Sequence, residues 1–270
     1  MEARDVQALE RANYASMRSL VAATPGSGLL VRDDVTLIRS RLFPMADMNH
    51  ACLLRTSPER AGPLVDEIVR YFRRRLLPVN VCLSPACTPD DLPDLLLRRG
   101  FRRQESPEAW LTLDLPNWQP PPLASDAVAC IRVGENDALG FARVYLASFG
   151  LPGSLAPLAA LLLRRSLRQP SMRHYLALVE GRPAGVCLWH SHGEIACLGA
   201  AGVLPAYRGR RVATSVFIHA AQEAAQQGKE LLLGQTLYPR LAEVLMGHGF
   251  RLAFSRTYYA LWVSWFGFRN

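Results

Sequence analysis

Apolar residues recur every three or four positions between Asp5 and Ala22, at Val6, Leu9, Tyr14, Met17 and Leu20, and predict an amphipathic helix. Gly26, Ser27 and Gly28 break the chain behind it. Strand patterns follow at Val35 to Leu42 and at Ala51-Cys52-Leu53-Leu54 within Asp47 to Arg55. Ser57-Pro58-Glu59 opens a second helix, with Leu64, Ile68, Tyr71, Phe72 and Leu76 on one face. Val79 to Leu83 reads as a strand, Asp90 to Arg99 as a helix stopped by Gly100, and Trp110 to Leu115 as a strand.

Four prolines between Pro116 and Pro122 carry no periodicity and mark a linker over residues 116–125. The pattern then restarts. Helices are predicted at Ala138 to Phe149 and Ser154 to Arg168, and a hairpin at Tyr175 to Val179 and Ala184 to Trp189. The small and apolar run Glu194 to Leu204 predicts a central strand. Arg211 to Gln227 is a helix, Leu231 to Thr236 a strand, Pro239 to Met246 a helix and Thr257 to Trp265 a strand. The two halves share an order of elements, and Gly100-Phe101-Arg102 returns as Gly249-Phe250-Arg251 after a helix and before a strand. Two copies of one domain are therefore expected, at residues 1–115 and 126–270.

The length of 270 residues suits two such copies, and 50% hydrophobic with 20% charged residues is a globular balance. The net charge of +8 divides into +1 over residues 1–122 and +7 over residues 123–270. Lys229 is the one lysine, so the arginine excess reads as a codon habit more than as a nucleic-acid footprint. Six cysteines form no C-x-x-C pair, which argues against zinc and for buried free thiols in a reducing, cytoplasmic setting. No metal site is expected. Neither a secretory leader nor an apolar run of membrane-spanning length is legible.

The densest chemistry lies at Gly202-Val203-Leu204-Pro205-Ala206-Tyr207-Arg208-Gly209-Arg210-Arg211-Val212-Ala213-Thr214. It follows a strand and opens a helix. Gly209 lets the backbone turn tightly, the first helical turn offers unpaired N–H groups, and three arginines surround it. Such a corner suits a pyrophosphate, although the same letters could make an ordinary strand–turn–helix with exposed arginines.

Here the chain resembles the GCN5-related N-acetyltransferases, the GNAT superfamily, whose acetyl-CoA loop runs V-x-P-x-x-[RQ]-x-x-G-x-[GA]. Val203, Pro205, Arg208 and Ala213 match, Gly209 fits a common variant, and Arg211 stands where the second glycine is usual. The resemblance covers roughly residues 128–265. It implies an α/β (α+β) fold of two tandem acyl-CoA N-acyltransferase domains, each a mixed, mostly antiparallel sheet flanked by helices. The first copy, with only Thr56-Ser57-Pro58-Glu59-Arg60-Ala61 at the loop position, looks degenerate.

The resemblance also implies a mechanism. Acetyl-CoA is held by Val203, Leu204, Arg208, Gly209, Arg210, Arg211, Val212, Ala213 and Thr214, and an amine of a small molecule or peptide attacks its thioester. Glu194 is the suggested base, with His190 and His192 beside it. The family's usual acid, a tyrosine, is replaced by Leu245, which leaves Tyr238 and Tyr258 as substitutes, and Tyr259 and His248 behind them. The aromatic tail through Trp262, Trp265, Phe266 and Phe268 is expected to cover a domain or homodimer interface. Arg73-Arg74-Arg75 reads as a helix end. The rival readings are a non-catalytic CoA-binding sensor or scaffold and, last, an arginine-rich nucleic-acid binder, for which no recognition motif is present.

Overall fold

The computed structural model of the chain describes residues 2–43, 45–121 and 128–261. The first half holds α1 (Ala3–Ala23), β1 (Ser27–Val31), β2 (Thr36–Ser40), β3 (His50–Cys52), α2 (Pro58–Arg73), β4 (Val79–Leu83), α3 (Leu92–Arg98), β5 (Arg102–Arg103) and β6 (Glu108–Asp114). The second holds β7 (Val128–Arg132), α4 (Ala138–Ser148), α5 (Ala156–Leu167), β8 (Met172–Val179), β9 (Arg182–His192), β10 (Ile195–Val203), α6 (Val212–Gln226), β11 (Leu231–Thr236), α7 (Pro239–Gly247) and β12 (Arg251–Leu261). No described helix is long and apolar enough to cross a membrane.

The strands form one continuous sheet in the order β1-β2-β3-β4-β12-β6-β11-β10-β9-β8-β7, with β5 also on β12. Only β3/β4 and β10/β11 are parallel. The two halves exchange their last strands. β6 pairs along β11, from Leu231↔Asp114 to Thr236↔Ala109. β12 starts beside β6 (Arg251↔Thr112) and ends beside β4 (Leu261↔Val79). Residue 115 is thus a boundary in the sequence but not in the sheet.

One face is covered by α2 and α3 over the first half and by α6 and α7 over the second. Leu64, Ile68 and Phe72 of α2 pack with Val81 and Tyr259, and Val216 and Ala221 of α6 pack with Tyr175, Trp189 and Leu232. The other face carries α4 and α5, through Phe141 and Leu163 against Leu176 and Val186. It also carries α1, through Val6 against Trp110, Leu233 and Phe254 and Tyr14 against Cys52 and Tyr258.

The paired Gly-Phe turns are structurally equivalent. Gly100 (φ +83°) and Gly249 (φ +99°) are both left-handed, and each next phenylalanine is 3% exposed. Phe101 N donates to Leu96 O and Phe250 N to Leu245 O, the bond that closes a helix over a C-terminal glycine.

Three expectations are corrected. β1 was not foreseen, because its Ser-Gly-Leu-Leu-Val follows glycines that read as a break; pairing with β2 makes it a strand. β7 escaped because it is a half-exposed edge strand behind the prolines. β12 begins at Arg251 rather than Thr257, since its first residues find a partner in β6 that no local pattern announces. Residues 122–125 of the linker, and Trp262, Trp265, Phe266 and Phe268, lie outside the described residues.

Candidate functional site

β10 and β11 run parallel only over Ile195↔Leu231, Ala196↔Leu232 and Cys197↔Leu233. Between Leu198 and Ala201 the register of β10 against β9 shifts by one residue, a bulge that bends a strand and strengthens its twist. Beyond it β10 leans away from β11, and a wedge opens between their C-terminal ends. In the wedge wall, Gly202 lies so close to α4 that a Cβ there would meet Ser148 Cβ at 2.7 Å.

Beyond the wedge the chain passes Val203 and Leu204, makes a short 3-10 turn at Pro205–Tyr207 and enters α6. Gly209 is left-handed (φ +77°). Arg211, the N-cap of α6, is left-handed too, at φ 59° and ψ 15°. Arg211 thus holds a left-handed conformation that glycine adopts freely. An L-residue there is strained by about 1–2 kcal/mol.

Among the described residues, the backbone N–H groups of Gly209, Arg211, Val212, Ala213 and Thr214 find no backbone acceptor, and the first helical bond is Ser215 N to Arg211 O at 2.9 Å. No side chain caps the helix. Five donors and the positive end of a 15-residue helix thus converge on one exposed turn. The turn is anchored from below. Val212 is 1% exposed and sits over Gly185, where a Cβ would approach Val212 Cγ1 to 2.7 Å.

The side chains add charge without consuming it. Arg208, Arg210 and Arg211 are exposed, and among the described residues none pairs with a carboxylate. Arg208 folds back toward the carbonyls of Val203 and Ser148, at 3.4 and 3.5 Å. The Ser148 hydroxyl beside Gly202 is buried with no partner among the described residues. A linear polar group in the wedge would supply one, so these residues fit the pantetheine and diphosphate of a coenzyme A.

The predicted chemical residues are not brought together. Tyr238 is exposed at the N-cap of α7, two residues past β11, and shares the splayed end with the loop. Glu194 is exposed in the turn before β10, where its carbonyl accepts from Glu230 N, at the paired end. Nine residues of strand separate it from Val203, about 30 Å. Tyr258 is 2% exposed, with its hydroxyl 3.4 Å from Arg256 Nη2 and its ring edge-on to His50; it is sealed from any substrate. Tyr259 is buried against α2 and α3. His190 is buried 2.6 Å from Ser16 Oγ, and burial lowers its pKa to about 4; His192 is exposed. His248 caps α7 and accepts Trp118 Nε1 on its carbonyl at 3.0 Å. The arginine run at the end of α2 is used locally, with Arg75 donating to Tyr71 O and lying 3.9 Å over its ring.

Sequence reasoning missed a buried polar cluster on the α1 side of the sheet. Arg256 is 2% exposed and donates to Glu108 on β6, Glu10 on α1 and the Tyr14 hydroxyl. Its guanidinium lies 4.3 Å over the Trp110 ring. Burial and Arg256 lower the His50 pKa to about 3, so His50 is neutral. His50 Nδ1 then donates to Ala46 O, and Nε2 accepts from Tyr14, whose oxygen accepts from Arg256. Nearby, Gln235 of β11 donates to Asn13 Oδ1 of α1 at 2.8 Å and ties the wedge to the first half. The available signal was the apolar stripe of α1 through Val6 and Tyr14, on whose buried face Glu10 and Asn13 also lie.

The matching place in the first half is shut. Thr88 N donates to Leu54 O at 2.9 Å, Thr56 N to Thr88 O at 3.2 Å, and an Arg55↔Thr88 bridge spans the gap beyond β3 and β4. Gly62 lies inside α2, past its first turn.

Residues 141–245 match the model of the Acetyltransferase (GNAT) family. Similar solved structures cover nearly the whole chain. A GCN5-related N-acetyltransferase from Kribbella flavida is 13% identical over 91% of this chain and 95% of its own, with a TM-score of 0.65. A tandem GNAT protein from the clavulanic acid biosynthesis pathway is 14% identical over 91% and 86%, with a TM-score of 0.63. A GCN5-related N-acetyltransferase from Sphaerobacter thermophilus is 17% identical over 86% and 82%, with a TM-score of 0.59. No curated protein matches the chain.

Proposed function

We propose that this chain, whose residues 141–245 match the GNAT family model, is an acetyl-CoA-dependent N-acetyltransferase that acetylates a primary amine of a small molecule or peptide. The observation that carries the reading is the turn of five free N–H groups at the mouth of an open strand wedge. The amides of Gly209 and Arg211 to Thr214, with Arg208, Arg210 and Arg211, hold the diphosphate. The wedge between β10 and β11 takes the pantetheine, which the Ser148 hydroxyl meets. The thioester then faces α1 and α4.

The neutral amine nitrogen attacks the thioester carbonyl, the C–S bond breaks, and the amine loses a proton. A backbone N–H near Val203 stabilises the oxyanion, and Tyr238 protonates the leaving thiolate. With Glu194 remote, water in the wedge carries the amine proton away. The chain divides into copies at 1–115 and 126–270, joined by the segment 116–125 and locked by strand exchange. The first copy binds no CoA, because backbone bonds close its wedge, so one CoA binds per chain. Its α1 walls the acceptor side through Asn13. Six cysteines, all free, suit work in the cytoplasm.

A second reading, a CoA-binding sensor without turnover, is favoured by the burial of Tyr258 and the remoteness of Glu194. Calorimetric titration of CoA and thiol release with an amine panel separate the two. Turnover with one bound CoA supports the enzyme, and tight binding without thiol release supports the sensor. Gly209→Val, which forces a β-branched residue to φ +77°, should abolish CoA binding in a folded protein. Unchanged affinity would sink both.

A further inference from the structure

At the far end of α6 from the loop, about 16 Å along its axis from Val212 to Glu223, lies an unassigned cavity. It holds about 400 Å³ between α6 and the edge strand β7, lined by Arg132, His219, Gln222, Glu223, Gln226 and Gln227. Behind it, Arg173 Nε, the Tyr175 hydroxyl and Trp189 Nε1 are buried with no hydrogen-bond partner among the described residues. Tyr175 and Trp189 are each 0% exposed.

The pleat puts these groups on one face. Arg132 is opposite Tyr175 and Arg173 opposite Trp189. The Tyr175 ring packs edge-on to His219, with centroids 5.4 Å apart, and Glu223 of the cavity lining is among the groups acting on its hydroxyl. The Glu223 carboxylate stands in the middle. It is 3.9 Å from Arg132 Nη1 and 3.8 Å from Arg173 Nε, too far for a hydrogen bond to either, and accepts from Gln227 Nε2 at 2.7 Å. Tyr175 has Glu223 and Trp189 as near neighbours, but its hydroxyl meets neither in hydrogen-bond geometry.

The cluster is rich in donors and short of acceptors. Arg173 Nη1 is satisfied by the carbonyls of Pro170 and Met172, at 2.7 and 2.8 Å, but Arg173 Nε and Trp189 Nε1 can only donate and have no acceptor among the described residues, and buried donors without partners are costly. We infer that this cavity is a binding site for a small carboxylate, with Glu223 as its internal plug. Glu223, partly exposed on a flexible stem, swings outward. The ligand carboxylate takes its place between Arg132 and Arg173 and accepts from Tyr175 and Trp189. The site is separate from the acyl-donor loop, at the opposite end of α6.

The test is calorimetric titration of the full chain with succinate at fixed ionic strength, with inorganic phosphate as a second arm. Saturable succinate binding is expected, with phosphate weaker. Arg132→Gln, on a half-exposed edge strand, should weaken succinate about fivefold, the loss of one partly exposed charge contact. Glu223→Gln, which removes the competing charge, should tighten it. Circular dichroism checks that both variants fold. Absent succinate binding, phosphate binding as tight, or affinity that does not move oppositely in the two variants overturns the proposal. CoA titration of the same samples reads the loop independently, so failure of one reading does not imply failure of the other.

Discussion

Arg256 holds the Glu108 carboxylate from two nitrogens, Nε at 2.9 Å and Nη2 at 2.7 Å, at the point where β12 leaves β6 for β4. Arg256↔Glu108 is the last rung to β6, and Thr257↔Leu83 is the first to β4. The pair sits where the halves exchange strands, and Glu10 of α1 completes it from above. Such buried pairs do little for net stability while intact, but breaking one strands a charge.

Arg256→Met should therefore destabilise the fold by about 3–5 kcal/mol, because Glu10 and Glu108 stay buried without their cation. Urea unfolding measures this. A loss below about 1 kcal/mol would mean that the carboxylates find water or protons cheaply.

Acid should weaken the fold before any carboxylate is considered. Burial lowers His50 to about 3 and His174 and His190 to about 4, against an ordinary 6.5. Groups depressed in this way stabilise the native state fully above the ordinary value and lose that contribution as pH falls through the folded one. Urea midpoints should fall steeply between pH 6.5 and 4, and His190→Gln should flatten the slope by up to one proton.

Glu10 has the opposite sign. Burial raises its pKa, although Arg256 and Ser84 pull the other way. Its contribution is complete below the ordinary glutamate range and is lost as pH rises through the raised value. Relative to Glu10→Gln, the wild type should lose stability as pH rises out of the acid range. A difference independent of pH would contradict the raised value.

At the loop, Arg211→Gly should raise stability by about 0.5–1 kcal/mol, since it relieves a left-handed arginine at some cost in chain entropy. Arg211→Val should lower it by about 1–2 kcal/mol. Denaturant melts of both variants give the comparison.

Gly185→Ala sets a Cβ 2.7 Å from Val212 Cγ1 and 3.3 Å from Gly202 O, with backbone on one side. It should cost about 1–3 kcal/mol and weaken CoA binding as the first turn of α6 is pushed off β9. Calorimetry and melting of the one variant read both effects.

Much of the site was legible because it is local. Gly209 and the arginines around it lie within one turn, and a glycine before a helix states a backbone geometry by itself. Arg211 is legible as an arginine at a usual glycine position of the resembled loop, but only the structure gives its left-handed φ of 59°. The catalytic candidates were legible only as residue types. Glu194 and Tyr258 sit on predicted strands, but a strand pattern does not say which end faces the wedge or which face is sealed by α1.

By itself the sequence determined most of the elements and their order, the return of Gly100-Phe101 as Gly249-Phe250, and the strand–turn–helix around Gly209. These follow from side-chain periodicity and from backbone conformations that only certain residues accept. The tertiary structure decided what depends on partners far along the chain. It exchanged β6 and β12 between the halves, turned Glu10 and Asn13 inward, and bonded one wedge closed while leaving the other open. Strand pairing satisfies backbone groups without regard to side-chain identity, so the sequence pattern could not say which neighbour each last strand would take.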